Sequence, residues 1–302
     1  MFIYCIITYG RIQNFVITNN INNIDRLRKF HNYIKSNLII NSCMSVNAKT
    51  LLDIACGRGG DLQKWLNHKV NLQYILAFDS HNESIFNSTK RGDDYDGAIA
   101  RFQSIKKTYR GKMPFINFKK LNILSPNILQ SLNNIDSNKL YDIVSCQFAL
   151  HYFAENKDVL NNVLKVVSSK LKVNGLFIGT ATDGDLISNI LKNGNVNIPL
   201  LTLYKQHYNN YLFYIHPDDS KKKELTRQNY FEIQGVSSEF YLFKNELKQL
   251  AEQNNLELIE FKSFYDWYLD YKKNVPDEKF KMSVYESLIS FLNFSFVFKK
   301  IK

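Results

Sequence analysis

The sequence predicts an α/β chain built on a doubly wound, mostly parallel sheet, with a lobe inserted around residues 193–235. Three observations carry that expectation. Short apolar runs alternate with helical periodicities along most of the 302 residues; the run 51–55 opens into a glycine-rich turn, CGRGG at 56–60; and the next run, 73–78, ends on Asp79. Strand, glycine turn, helix and strand make a βαβ unit, and in such sheets ligands bind beyond the carboxyl ends of the strands.

The elements follow in order. Residues 1–9 are apolar but carry no basic flank or small-residue cleavage site and are too short to cross a bilayer, so they read as a strand or packing segment. After the polar, turn-like stretch 18–23, residues 25–40 place Leu27, Phe30, Ile34 and Leu38 at helical spacing behind Asp25 as a cap. Arg26, Arg28, Lys29 and Lys35 make the other face basic. Past the βαβ unit come a helix near 83–90, a basic linker 101–112 taken as solvated loop, strands 116–121 and 141–145, a helix 156–171 and a strand 176–180. Residues 193–235 are polar and irregular and include the run Lys221, Lys222, Lys223. A helix 244–254, a strand 256–264, a helix 278–290 and a strand 294–299 close the chain. With no compositional break, residues 1–24 read as an N-terminal extension and 25–302 as one domain.

Composition narrows the function. A hydrophobic fraction of 45% with 14% aromatics supports a sizeable core and excludes a disordered chain. The 39 Lys and Arg against 28 Asp and Glu leave a charge of +11, which favours a polyanionic partner, nucleic acid first and a membrane surface second. No stretch reaches membrane-spanning length. Cys5, Cys43, Cys56 and Cys146 are scattered without a CxxC pair, which fits neither a disulfide framework nor a zinc knuckle and points to an intracellular protein.

Gly57, Gly59 and Gly60 permit a ligand to approach the backbone closely, and Asp79 lies where a carboxylate accepts hydrogen bonds from a ribose diol. A dinucleotide and S-adenosylmethionine both fit that much. The dinucleotide fingerprint asks for glycine three residues after Gly59, where Leu62 stands. The spacing from Asp53 to Asp61 instead resembles the methyl-donor site of Rossmann-like, class I methyltransferases.

A more specific resemblance lies in two motifs, DIACGRGGDLQKW at 53–65 and SCQFALHY at 145–152. They resemble the DLGCGKGGDLLKW and SCQFxxHY motifs of the eukaryotic and viral mRNA cap guanine-N7 methyltransferases. RKFHNYIK at 28–35 is similar to that family's RNFNNxxK, and EFYL at 239–242 to its Glu-Tyr pair followed by apolar residues. The likeness runs from about residue 27 to 302. It implies transfer of a methyl group from S-adenosylmethionine to N7 of the guanine in GpppN-RNA, leaving S-adenosylhomocysteine. Residue by residue, it implies that Lys35, Asp53 and the backbone at Ala55 and Gly57 hold the donor's methionine part, Asp79 its ribose and Asn122 its adenine, with Gln147 and Tyr152 on the flank nearest the acceptor. His31, Asn32, Arg58, Lys64, Arg91, Phe148, His151 and Glu239 match positions around the cap. Arg58, Lys64 and Arg91 suit the triphosphate bridge, and Glu239 the N1 and N2 edge of guanine. Guanine N7 already bears an in-plane lone pair, so no proton has to be removed. Proximity and electrostatics suffice, and neither a catalytic base nor a metal ligand is assigned.

Four positions depart from the family. His31 replaces the first of two asparagines, Asn122 an aspartate and Thr182 a proline, while Asn293 or Phe294 stands where a tyrosine is usual, leaving the ring that covers the cap unidentified. Two other readings remain in view: a non-catalytic methyltransferase-fold subunit that binds or stimulates a capping enzyme, and a methyltransferase for another acceptor. Intact glycines with Asp79, Gln147 and Tyr152 argue against the first, and the His151-Tyr152 pair with Glu239 against the second. The expected partners are capped mRNA, with other capping activities or RNA polymerase beside it and no membrane. The expected location is the nucleus or, for a viral chain, a cytoplasmic replication site or the virion.

Overall fold

In the computed structural model, residues 24–91, 94–198, 200–206, 209–215, 236–274 and 281–302 are described. The expectations for residues 1–9, 18–23 and the lysine run 221–223 lie outside them. Helix α1 (Asp25–Ser45) is followed by β1 (Thr50–Ile54), a single helical turn α2 (Leu62–Trp65), β2 (Tyr74–Asp79), α3 (Asn82–Phe86) and the short paired strands β3 (Lys90–Arg91) and β4 (Asp94–Tyr95). Next come α4 (Ala98–Thr108), β5 (Phe115–Lys120), α5 (Ile128–Asp136), β6 (Tyr141–Gln147), α6 (Lys157–Lys170) and β7 (Leu171–Thr182). The chain continues through α7 (Gly184–Leu191), β8 (Val196–Ile198), β9 (Leu201–Lys205), β10 (Asn210–Ile215), β11 (Val236–Phe240), α8 (Lys244–Gln253), β12 (Leu256–Ser263), α9 (Phe264–Asn274), α10 (Val284–Ser290) and β13 (Asn293–Lys300).

Two compact units result. The larger takes 34–181, 245–261 and 295–302, and the smaller the described residues of 1–33, 182–244 and 262–294. In the larger, seven strands lie in the order β12-β13-β7-β6-β1-β2-β5, and the pairs from β7 to β5 are parallel. β1 is buried from Leu51 to Ile54, as a parallel strand covered on both faces must be. On one face Leu51 joins Ile39, Trp65, Ile75, Ile143 and Ile178 in an apolar cluster. Helix α6 is closed at both ends by side chains: Asn156 Oδ1 accepts from Val159 N–H at 3.0 Å, and Lys300 Nζ donates to the carbonyls of Ser168 and Leu171 at 2.6 and 2.9 Å.

The smaller unit holds a four-stranded antiparallel sheet, β11-β10-β9-β8. Its helices pack through aromatic rings, Phe30 of α1 lying 6.4 Å from Phe264 and 5.4 Å from Tyr271 of α9. Buried Glu286 does double duty there. Its Oε1 accepts the orphan Leu27 N–H of the first turn of α1 at 3.0 Å, while its Oε2 accepts Ser283 N–H at 2.9 Å and completes a capping box on α10.

Three expectations are corrected. The basic stretch 101–112 is helix as far as Thr108, because Ala98, Ile99, Phe102 and Ile105 recur at helical spacing and pack on the core while the cations face out. The lobe, expected to be irregular in pattern, is antiparallel sheet where it is described, its strands held by the pairing of β10 with β9 and β11 and of β9 with β8. The helix expected to reach residue 90 ends at Phe86, where Asn87 turns extended and its Oδ1 takes Thr89 N–H at 2.8 Å. Helices α5, α7 and α9 were not anticipated, and α1 runs on to Ser45.

Gly179 of β7 is closely packed against β6 and β13. A Cβ there would stand 2.2 Å from the Cys146 carbonyl oxygen and 2.3 Å from the Phe296 ring. Gly179→Ala should therefore destabilise the protein by roughly 2 kcal/mol or more, read as a lowered denaturation midpoint; an unchanged midpoint would mean the strands part freely at this point.

Candidate functional site

The turn after β1 is built around unusual backbone. Ala55, Gly57 and Gly59 all have positive φ, +57°, +52° and +69°. For Ala55 that conformation costs about 1–3 kcal/mol, so the surroundings must hold it. Cys56 N–H donates to the Phe78 carbonyl at 3.0 Å, and Gly57 N–H to Asp79 Oδ2 at 2.8 Å, fastening the turn to the end of β2. The other Asp79 oxygen accepts His81 N–H at 2.9 Å. Apart from its chain neighbours, no heavy atom of the described residues lies within 4 Å of where a Gly57 Cβ would stand.

Asp61, at the end of the turn, anchors two cations. Its Oδ1 lies 2.7 Å from Lys35 Nζ of α1 and 2.9 Å from Lys64 Nζ of α2, and Lys64 also donates to the Gly60 carbonyl at 3.0 Å. All three side chains are largely buried. Burial alone would raise the Asp61 carboxyl, but the charges of Lys35 and Lys64 overcome it and hold it below the usual 3.8. Asp53, at the end of β1, has the opposite balance. Burial first, and the Asp61 charge second, push its carboxyl well above the usual range, and its Oδ1 has no hydrogen-bond partner.

A hydrogen-bonded row continues across the carboxyl ends of β6 and β7. Ser145 bonds to Asp53, accepts from Gln147 Nε2 at 3.3 Å, and Gln147 Oε1 accepts the Thr180 hydroxyl at 3.1 Å. Phe148, with φ +53°, donates its N–H to Thr180, and its ring centroid lies 5.9 Å from Lys35 Nζ. The short helical turn Leu150–Phe153 follows, with His151 buried, Tyr152 38% exposed and their ring centroids 4.4 Å apart. Asn122 is exposed, and its Oδ1 already accepts Leu124 N–H at 3.0 Å in a local turn. Arg58, half exposed, pairs with Asp96 at 2.8 Å, while Arg91 belongs to β3.

In the smaller unit, Glu239 of β11 is buried and stands opposite Tyr211 of β10. The Tyr211 hydroxyl bonds to Glu239 Oε2 at 2.9 Å and to Thr182 Oγ1 at 2.8 Å. His31 Nε2 is 3.1 Å from Ser290 Oγ, and Asn32 is exposed on α1. Asn293 is buried with its amide on the Ile289 and Ser290 carbonyls, and the ring of Phe294 is buried, with Lys244 Nζ 5.6 Å from its centroid.

The structure thus brings Lys35, Asp53, Ala55, Gly57, Asp79, Gln147 and Phe148 onto connected backbone and hydrogen bonds within one unit. It does not join Lys64 to Arg58, since each has its own carboxylate. Sequence reasoning missed Asp61 as the anchor, although it lies inside the glycine motif, and Tyr211, whose link to Glu239 depends on strand register.

A domain model described as mRNA (guanine-N(7))-methyltransferase domain matches residues 9–289. A probable mRNA-capping enzyme of Acanthamoeba polyphaga mimivirus is 31% identical over 277 residues, covering 84% of this chain and 23% of that protein. The mRNA cap guanine-N(7) methyltransferase of Caenorhabditis briggsae is 33% identical over 174 residues, 56% of this chain and 42% of the relative. For mRNA cap guanine-N(7) methyltransferase 1 of Arabidopsis thaliana the figures are 28% over 260 residues, 83% and 64%. The chain thus spans less than two thirds of the length of each. Two solved structures share the fold: an S-adenosylmethionine-dependent methyltransferase from Clostridium acetobutylicum (TM-score 0.52, 17% identity, 87% of this chain and 89% of that one) and a protein of Pyrococcus horikoshii (0.51, 15%, 97% and 98%).

Asp61→Asn strands two buried ammonium groups and should cost about 3 kcal/mol at neutral pH. Because the folded carboxyl titrates below its unfolded value of 3.8, this contribution is full above about pH 4 and is lost as pH falls through the folded value. Denaturant titrations of both proteins between pH 7 and 3 should show the gap closing at the acid end; a gap unchanged at pH 3 would rule out charge pairing as its source.

Proposed function

Because the chain belongs to the mRNA (guanine-N7)-methyltransferase domain family, we propose that it transfers a methyl group from S-adenosylmethionine to N7 of the terminal guanine of GpppN-capped mRNA. The match across residues 9–289 is the observation that carries this reading. The fit of the residues to the donor supports it: an open space over Gly57, an orphaned buried carboxylate oxygen on Asp53, and a backbone turned to positive φ between them.

When bound, the donor supplies an electrophilic methyl carbon on a sulfonium. On this reading the chain's own residues have only to bind and align. Lys35 suits the carboxylate of the donor's methionine end and Asp53 its ammonium, a charge that would oppose the upward push that burial gives the Asp53 carboxyl. Asp79 suits the ribose hydroxyls, Asn122 the adenine amino group, and Gln147 with Tyr152 the flank toward the acceptor. Glu239 suits the N1–H and N2–H edge of guanine, with Tyr211 and Thr182 fixing the plane of its carboxylate. Arg58, open to solvent, suits the triphosphate, whereas Lys64, buried on Asp61 and the Gly60 carbonyl, suits a share in stiffening the turn. With nucleophile and methyl carbon held in line, no proton transfer is required. The substrate must come from a reaction that joins a guanylyl group to a 5′-diphosphate RNA end, and such capping activities are the partners this reading implies.

Incubated with labelled donor, the chain should methylate GpppA-RNA and leave ApppA-RNA untouched; equal labelling of both, or of neither, would sink the assignment. Tyr211→Phe removes one bond to a charged carboxylate, worth about 1.5–3 kcal/mol. It should raise KM for the capped substrate about tenfold or more while donor affinity, measured by calorimetry, stays constant. A loss confined to the donor side would count against Glu239 as the guanine contact.

A further inference from the structure

The edge strand β5 and the basic stretch leading into it take no part in the site described above. An exposed sheet edge is ordinarily blunted by charge or covered. β5 instead begins with Phe115, whose side chain is 63% exposed. The ring is firmly placed. Phe115 N–H donates to the Gln73 carbonyl at 2.9 Å, the residue lies in register with Tyr74, and the two rings stack with centroids 5.7 Å apart and planes 17° apart. Lys139 Nζ stands 5.0 Å from the Tyr74 centroid. The result is a fixed aromatic stack whose outermost ring faces solvent.

The chain leading into and out of β5 carries charge of one sign. No Asp or Glu occurs between Asp96 and Asp136, while Arg101, Lys106, Lys107, Arg110, Lys112, Lys119 and Lys120 all do. Lys106 and Lys107 are exposed in the last turn of α4, and Arg110 and Lys112 are exposed in the connection to β5. Lys112 is three residues from Phe115, within about 11 Å along the chain. An exposed ring beside closely spaced cations matches what single-stranded nucleic acid requires: an apolar face for a base and positive charge for the phosphates.

We propose that this edge binds the single-stranded RNA that follows the cap, with a base stacked on Phe115 and phosphates passing Lys106, Lys107, Arg110 and Lys112. The proposal rests on the reading of the substrate as capped RNA. Stacking on a phenyl ring is indifferent to base identity, so the site would accept any transcript.

Two measurements on the full chain test it. The first is fluorescence anisotropy with a labelled, uncapped 20-nucleotide RNA, which needs no methyl transfer. The second is steady-state methylation of the GpppA dinucleotide against a GpppA-capped 20-nucleotide RNA. Phe115→Ala should weaken binding of the uncapped RNA about five- to tenfold and raise KM for the capped RNA to match, with kcat and the KM for the dinucleotide unchanged. Phe115→Trp should restore both, and Phe115→Leu, which keeps the apolar contact with Tyr74, should behave as the alanine variant does. Replacing Lys106, Lys107, Arg110 and Lys112 together with alanine should flatten the dependence of log affinity on log salt by about 3. Undiminished RNA affinity in the Phe115→Ala and Phe115→Leu variants, an equal KM change for dinucleotide and RNA, or Phe115-dependent binding to anionic phospholipid vesicles in place of RNA would each overturn the proposal. If the wild-type chain methylates neither substrate, the functional reading fails, and the anisotropy arm still decides whether the edge binds RNA.

Discussion

The geometry of the donor-side turn depends on one buried carboxylate shared by two lysines. Asp61 sits at the end of the glycine turn, Lys35 comes from α1 and Lys64 from α2, so three separate stretches of chain meet at a single oxygen. Removing three charged groups from water is costly, and the arrangement persists because each cation retains a close anion. Mechanically, the Lys35 pair ties the turn to α1. Electrostatically, the Lys35 charge favours an ionised Asp53, while burial and the Asp61 charge oppose it more strongly. A zwitterionic ligand end meets that pattern well, its carboxylate toward the lysines and its ammonium toward Asp53.

The overall charge of +11 does not say where on the molecule the cations lie. Lys170 is buried against Asp136 at 3.1 Å, Lys300 closes the end of α6, Lys172 is tied to Asp142 at 2.7 Å, and Lys244 pairs with Asp183. These cations serve the fold. The acid-free stretch before and along β5 is where positive charge stays on the surface, which gives a polyanion a direction of approach.

What the sequence made legible follows from how each element is specified. The strands of the parallel sheet were readable because burial on both faces leaves unbroken apolar runs, and the donor-side turn because glycine and aspartate are needed there for backbone reasons that leave a trace in spelling. Helix α4 was hidden by its own lysines, which outweighed the four apolar residues that hold it on the core. The lobe's strands were hidden by polar neighbours. The motif in which Lys64 stands implies a phosphate contact, and its ion pair with Asp61 is visible only in the fold. Tyr211 could not be found at all, since 28 residues of chain separate it from Glu239 and only the register of β10 with β11 sets them opposite each other.

Asp79 has a consequence of another kind. Its two oxygens are already committed to the Gly57 and His81 amides, so the rotamer that a ribose would meet is chosen when the chain folds rather than when a ligand arrives. On the proposed reading, the methyl donor and its demethylated product carry the same ribose and are gripped equally at this end. Such even-handed binding tightens both without favouring turnover. Discrimination between fresh donor and spent product then falls to the methyl-bearing side, near Gln147 and Tyr152, and a cell's ratio of the two molecules becomes a throttle on the enzyme.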